Sequence, residues 1–200
     1  MPRGRFKLLL DRLAFPLLAV ISNDRARRLG LTPIDDERAL ACLPHCQGLL
    51  LDVGCGPNQL VGLYGRGAGV DVFRWPNVDV LCDTQRLPFP DATFDTAALM
   101  AVLNHIERPD RDAVLGEVRR VLRPGGRLLV TMIDPRVGRF VHWLRRSHDP
   151  DQMVRGMHHD EDPGLWTSDV RGLLERNGFS VEERRRFVYG LNNLYLAQRR

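Results

Sequence analysis

The stretch Leu-Leu-Leu-Asp-Val-Gly-Cys-Gly-Pro-Asn-Gln-Leu at residues 49–60 restricts this chain more than any other. An apolar run ends in an acid, the chain turns through two glycines one residue apart, and a helix-compatible segment follows. Gly54 and Gly56 remove Cβ atoms where the backbone bends sharply and where a ligand could come close. The pattern reads as a strand, a tight turn and a helix start. At the carboxyl end of such a strand, open α/β sheets bind nucleotides.

The remaining segments repeat the strand and helix rhythm. Strands are expected at 69–73, 78–82, 94–101 and 127–133. A short helix covers 60–64, and a longer one opens at Pro109 with Val114, Leu115, Val118 and Leu122 as its core stripe. Pro124, Gly125 and Gly126 are expected to end that helix and turn into the fifth strand. Thr167 or Ser168 should cap a further helix that ends at Gly178, and residues 179–188 and 191–197 read as a terminal antiparallel hairpin. This alternation specifies an α/β fold with a doubly wound, mostly parallel sheet. Asp71 lies nineteen positions beyond Asp52, at the end of the second strand. A carboxylate there has two acceptor oxygens to match the vicinal hydroxyls of a ribose. Asp83 sits at a third strand end, followed by the rigid apolar Leu-Pro-Phe-Pro at 87–90, a suitable edge for a flat ring.

Two segments flank or interrupt this pattern. Residues 1–47 form a helical cap ahead of a domain at 48–200, and residues 134–166 form a lid-like insertion. In the cap, Phe6, Leu9, Leu10, Leu13, Leu17, Val20 and Ile21 recur at helical spacing, with a bend near Pro16, and a second helix spans 36–42. The first helix is expected to cover the sheet or a pocket rim; peripheral contact with a membrane surface is its alternative. Asp11 and Arg12 rule it out as a membrane span. In the insertion, His158, His159, Asp160, Glu161 and Asp162 are adjacent and point in different directions, so a solvated loop is expected and no metal site. Cys42, Cys46, Cys55 and Cys82 have no paired spacing, which suits reduced thiols in a cytoplasmic protein. The net charge of +4 comes from arginines without interleaved aromatics, so no nucleic-acid partner is expected. Nothing in the sequence specifies an oligomeric state.

These pieces together resemble a class I S-adenosylmethionine-dependent methyltransferase, in the small-molecule branch of the ubiquinone and menaquinone methyltransferases. The matching segments are 51–58, Gly-Val-Asp at 69–71, Cys-Asp-Thr-Gln-Arg-Leu-Pro-Phe at 82–89, Phe-Asp at 94–95 and Asn-His-Ile at 104–106. Glu-Val-Arg-Arg-Val-Leu-Arg-Pro-Gly-Gly at 117–126 and Leu-Leu-Glu-Arg-Asn-Gly-Phe at 173–179 complete the set. The resemblance implies a Rossmann-like sheet of seven strands ordered 3-2-1-4-5-7-6 with strand 7 antiparallel. It implies that Gly54, Cys55 and Gly56 border the methionine part of the cofactor, with Asp52 ordering the turn and Asn58 at the third small position of the motif. Asp71, followed by Val72, would hold the ribose; Asp83 would accept from the adenine amino group, with Thr84 beside it and Leu87 near the ring. Leu99 and Met100 would lie near the cofactor's amino-acid end.

Methyl transfer from a sulfonium needs positioning more than a catalytic group. If the acceptor is a hydroxyl, His105 is the candidate base. The acceptor pocket is expected between the first helix and the insertion, from Phe6, Phe15, Phe140, Trp143 and Trp166 with Arg136, Arg139, Arg145 and Arg146. Such a lining suits a small apolar or anionic molecule. Two rivals share the signal: a nicotinamide-dependent dehydrogenase, which normally carries a third glycine in the turn, and a non-catalytic S-adenosylmethionine-binding or assembly protein.

Overall fold

The computed structural model describes residues 5–14, 18, 21, 23–145 and 162–200. Pro16, Phe15, Arg146 and the run from His158 to Glu161 lie outside them, and of Trp143 and Arg145 only the backbone is described. Strands β1 (Leu50–Val53), β2 (Gly67–Asp71), β3 (Val80–Leu81), β4 (Phe94–Met100) and β5 (Leu122–Ile133) pair in parallel. β7 (Asn192–Arg199) runs antiparallel between β5 and β6 (Phe179–Phe187). The sheet order is β3-β2-β1-β4-β5-β7-β6, the order that the family resemblance implies.

Both faces are covered, which is why the central strands are apolar in runs and not in alternation. On one face Leu51, Val53 and Val130 pack with α5 (Arg111–Val121), through Val114, Leu115 and Val118, and with α7 (Thr167–Arg176), through Val170, Leu173 and Leu174. On the other, Leu50, Ala98, Leu129 and Leu194 pack with Ala39 and Cys42 of α3 (Ile34–Cys42) and with Leu60 and Val61 of α4 (Gln59–Tyr64). The helices α1 (Arg5–Leu13) and α2 (Asn23–Arg28) precede this body, and α6 (Pro135–Arg145) opens the insertion.

Four expectations are corrected. β5 begins at Leu122, which pairs with Phe94, so Pro124, Gly125 and Gly126 sit in an irregularity of the strand and not in a turn before it. Gly125 has φ of +74° and a Cβ at Gly126 would lie 2.7 Å from the Arg123 carbonyl, so the ladder breaks there and resumes at Arg127 opposite Thr96. α7 has Trp166 as its N-cap with no side-chain bond, because the Thr167 hydroxyl already accepts from Arg184 Nη1 at 2.8 Å and Ser168 Oγ donates to Asp169. The apolar stripe of α1 does not face the sheet: Phe6, Leu9, Leu10 and Leu13 are all exposed. And Asp162 is no solvated loop acid. Its carboxylate takes Arg108 at 2.9 Å and Arg111 at 2.7 Å, and its backbone N–H donates to the Asn104 carbonyl.

That clamp ties the end of the insertion to the segment that follows β4. Hydrogen bonding to Arg108, opposed by burial and reinforced by Arg111, holds the Asp162 carboxyl below the ordinary aspartate range. The two arginines are not equivalent, since the Arg111 side chain is 7% exposed and that of Arg108 is 75% exposed. Removing Asp162 leaves a nearly buried guanidinium without its counter-charge. Asp162→Ala is therefore expected to lower stability by roughly 2 kcal/mol in urea unfolding, whereas Arg108→Ala changes it little because water screens that pair.

Candidate functional site

The site is built where β1 and β2 end. The amides of Gly54 and Cys55 both donate to the Val70 carbonyl, at 2.8 and 3.0 Å, so the turn after β1 is tied across to β2. Gly54 and Gly56 have φ of +68° and +53°, a region costly for side chains bearing Cβ. A Cβ at Gly54 would meet Val102 Cγ2 at 2.7 Å, whereas one at Gly56 would meet nothing within 4 Å. The first glycine is thus closed by packing and the second faces open space, as a ligand approaching the backbone requires.

Asp71 closes the other side. Its Oδ2 accepts from Gly56 N–H and its Oδ1 from Phe73 N–H, each at 2.9 Å. Each oxygen keeps one acceptor direction for a ligand hydroxyl. Beside it Val72, Phe73 and Leu81 expose apolar surface, a lining that fits a flat ring. Asn58 starts α4 in the left-handed region, and its Nδ2 donates to the Asn77 carbonyl at 2.7 Å and to Asp79 Oδ2 at 2.8 Å. Asp79 Oδ2 also accepts from Gly69 N–H at 2.8 Å. Asn58 therefore links the glycine turn to the β2–β3 connection, and Gly69 leaves the space its amide occupies. Asp79 was not singled out from the sequence; an acid in the β2–β3 connection has no distinctive spacing to mark it.

Asp52 behaves differently from expectation. The turn is held by Asp71, and neither Asp52 oxygen has a hydrogen-bond partner among the described residues although Asp52 is fully buried. Burial first, and the charge of Asp71 second, push its carboxyl up to about 8. The same burial, with Asp52 nearby, pushes the Cys46 thiol up to about 12 and raises Cys42 and Cys55. These thiols are protonated and inert. By strand alternation Asp52 shares the α3 face with Leu50, and Thr131 and Asn192 share it with Leu129 and Leu194. Thr131 Oγ1 and Asn192 Oδ1 are likewise buried with no partner among the described residues, as is Asn104 Oδ1 just beyond β4. These buried atoms, across the ends of β1, β4, β5 and the start of β7, have hydrogen-bonding capacity that the described residues leave unused.

The other expected residues are spread more widely. Asp83 is exposed at the end of β3, with Oδ1 taken by the Gln85 amide at 2.9 Å, and Thr84 is half-buried next to it. Leu87 and Leu99 lie inside the core on the α5 side, while Met100 packs toward the α3 side. Phe89 stacks edge-to-face on Phe94 at 5.0 Å and so belongs to that core as well. His105 is half-buried in the loop after β4, where its backbone N–H donates to the Val102 carbonyl at 2.9 Å. Farther along, a cleft of about 620 Å³ between α5, α6 and α7 is lined by Arg108, Arg111, Arg139, Arg176, Asp162 and Trp166. Among the described residues no cluster of histidine, cysteine and acid could hold a metal.

Comparison with known proteins agrees with this geometry. Residues 51–130 match the family described as methyltransferase domain. The ubiquinone/menaquinone biosynthesis C-methyltransferase UbiE of Burkholderia mallei is 30% identical over a match covering 42% of each chain, so the match spans less than half the length of that curated relative. Among solved structures, the Burkholderia thailandensis 1,6-didemethyltoxoflavin-N1-methyltransferase, with 1,6-didemethyltoxoflavin and S-adenosylhomocysteine bound, has a TM-score of 0.64 at 18% identity, covering 100% of this chain and 92% of its own. The [4+2]-cyclase SpnF has a TM-score of 0.61 at 18% identity, covering 82% and 80%. Residues 51–130 thus match a methyltransferase-domain family, and the chain as a whole has the fold of the solved methyltransferase.

Proposed function

We propose that this chain transfers the methyl group of S-adenosylmethionine to a small apolar or anionic acceptor. The observation that carries this reading is the glycine turn held open at Gly56 by Asp71, inside the segment that matches the methyltransferase domain. The cofactor supplies a methyl group on a sulfonium, already a good leaving group. The chain's part is then to hold an acceptor in line with that methyl and keep water away. Asp71 takes the ribose hydroxyls on its remaining lone pairs, Val72, Phe73 and Leu81 offer the ring an apolar surface, and Asp83 keeps Oδ2 for the adenine amino group. Gly54, Cys55 and Gly56 border the methionine end. Asp52 supplies negative charge to balance the cofactor's cationic groups, a task for which a buried acid without a partner among the described residues is suited. His105 takes the proton if the acceptor is a hydroxyl. The acceptor lies between the N-terminal cap at 1–47 and the insertion at 134–166, the parts that carry exposed aromatics and arginines and that the family match leaves out. Four free cysteines accord with a cytoplasmic protein, and no described helix is long and apolar enough to cross a membrane.

A second reading has its own support: the fold neighbour that is a [4+2]-cyclase shows that this architecture also serves other chemistry. Under it, the chain binds the cofactor without methyl transfer. The nicotinamide alternative is disfavoured by Asn58 at the place of a third glycine, with its side chain engaged by Asp79.

Calorimetry with S-adenosylmethionine, S-adenosylhomocysteine and NAD is expected to give micromolar or tighter binding for the first two only; tight binding of NAD alone would sink the proposal. Asp71→Ala is expected to weaken S-adenosylhomocysteine at least about tenfold, the loss of one or two charge-assisted bonds, and unchanged affinity would remove Asp71 from the site. In the presence of an acceptor found by compound screening, His105→Ala should lower kcat more than it raises the cofactor's Kd; equal effects would make it a shaping residue. The raised Asp52 carboxyl has a definite sign. Its protonated form favours the folded apo state, so that contribution is complete below about pH 4 and is lost as pH rises toward about 8. Asp52→Asn should therefore raise the apo melting temperature at pH 8.5 while weakening S-adenosylmethionine, and a variant no more stable than wild type at that pH would refute the assignment.

A further inference from the structure

Helix α1 is mounted with its apolar side outward. Phe6, Leu9, Leu10 and Leu13 follow the 3.6-residue repeat and are 79%, 54%, 39% and 73% exposed. What anchors the helix is polar. Asp11, almost fully buried, accepts from Thr32 N–H at 3.1 Å and Thr32 Oγ1 at 2.9 Å and pairs with Lys7. Ala14 then joins a small apolar cluster with Ala26 and Leu31 that holds the end of α1 against α2. Hydrophobic burial alone would turn the helix the other way; the Asp11 to Thr32 connection fixes the stripe toward solvent.

The charges complete the pattern. On the helical repeat, positions 5 and 12 fall on one border of the stripe and position 7 on the other, and all three are basic, with Arg3 preceding them. The helix's one acid, Asp11, is turned inward. An apolar stripe bordered by the basic positions 5 and 12, with its one acid turned inward onto Lys7, is complementary to a layer that is apolar inside and anionic at its surface. A second copy of the chain fits less well. A symmetric pair would set like-charged borders together, and the four side chains of the stripe are far fewer than the roughly 20 residues that one partner contributes to a standard interface.

We infer that α1 is a membrane-surface helix, seating the protein on lipid bilayers with anionic headgroups through Phe6, Leu9, Leu10 and Leu13. This goes beyond the methyl-transfer reading and does not rest on it. It places the N-terminal cap, one wall expected for the acceptor, against a lipid phase.

The test uses the full chain and extruded vesicles, either of phosphatidylcholine alone or of phosphatidylcholine and phosphatidylglycerol in equal parts. Wild type is expected to cosediment with the anionic vesicles at low salt, to be released as salt rises, and to ignore phosphatidylcholine. Leu9→Asp combined with Leu13→Asp should reduce binding at least about tenfold, while circular dichroism and S-adenosylhomocysteine affinity stay as in wild type. Should that variant misfold, Phe6→Trp decides: its fluorescence should shift to the blue with anionic vesicles only. No binding of wild type to anionic vesicles, or an unshifted Phe6→Trp, overturns the inference. So does self-association of wild type that the double variant abolishes, because it makes a second copy the occupant. Unaltered cofactor binding in any of these cases leaves the proposed function standing.

Discussion

One carboxylate holds the site in shape. Asp71 bridges the amides of Gly56 and Phe73, and so joins the turn after β1 to the end of β2. The backbone amides of Gly54 and Cys55 make the same crossing to Val70, and Asn58 makes it a third time through Asp79. A glycine-rich turn has high conformational entropy when free. Anchored at three places, it has little freedom left to lose when a cofactor arrives, which favours binding. The space in front of Gly56 is therefore a property of the fold and not an accident of one side chain.

Beneath the turn, the protein tolerates an arrangement that folding alone would disfavour. A carboxyl at Asp52 with no partner among the described residues, within the field of Asp71, costs stability as soon as it ionises. Unused acceptors at Thr131, Asn192 and Asn104 belong to the same carboxyl edge of the sheet. Polar groups buried without partners are uncommon in ordinary cores and gather where ligands complete them. Their placement at strand ends sets them apart from a core that is otherwise apolar on both faces.

Two segments outside the family match, the insertion and α1, are each tied down through an acid. The insertion returns to the body through Asp162, held by Arg108 and Arg111, and α1 is pinned through Asp11 and Thr32. Polar attachment lets these segments present aromatic and apolar side chains outward without losing their place. Loops and caps on a rigid scaffold are where relatives with one fold come to differ in what they act on.

The fold was largely legible in the sequence, because the features that specify it are local. A buried parallel strand reads as an apolar run, a sharp turn as paired glycines, and a strand-end acid as Asp71 at a fixed distance from Asp52. Strand ends were less so: β5 starts at Leu122 because its pairing partner, Phe94, lies far away in the chain, and the Pro-Gly-Gly run was accommodated as a bulge. Local pattern also could not say that Thr167 would serve Arg184 and not cap its own helix, or that Asp162 would find two arginines some fifty residues earlier. The sequence by itself determined the alternation of strands and helices, the glycine turn and the acids at the strand ends, and its family resemblance implied the sheet order. Only the tertiary structure decided which acid orders the turn, which is left uncompensated, and that α1 turns its leucines to the outside, since each depends on contacts between segments that periodicity along the chain does not encode.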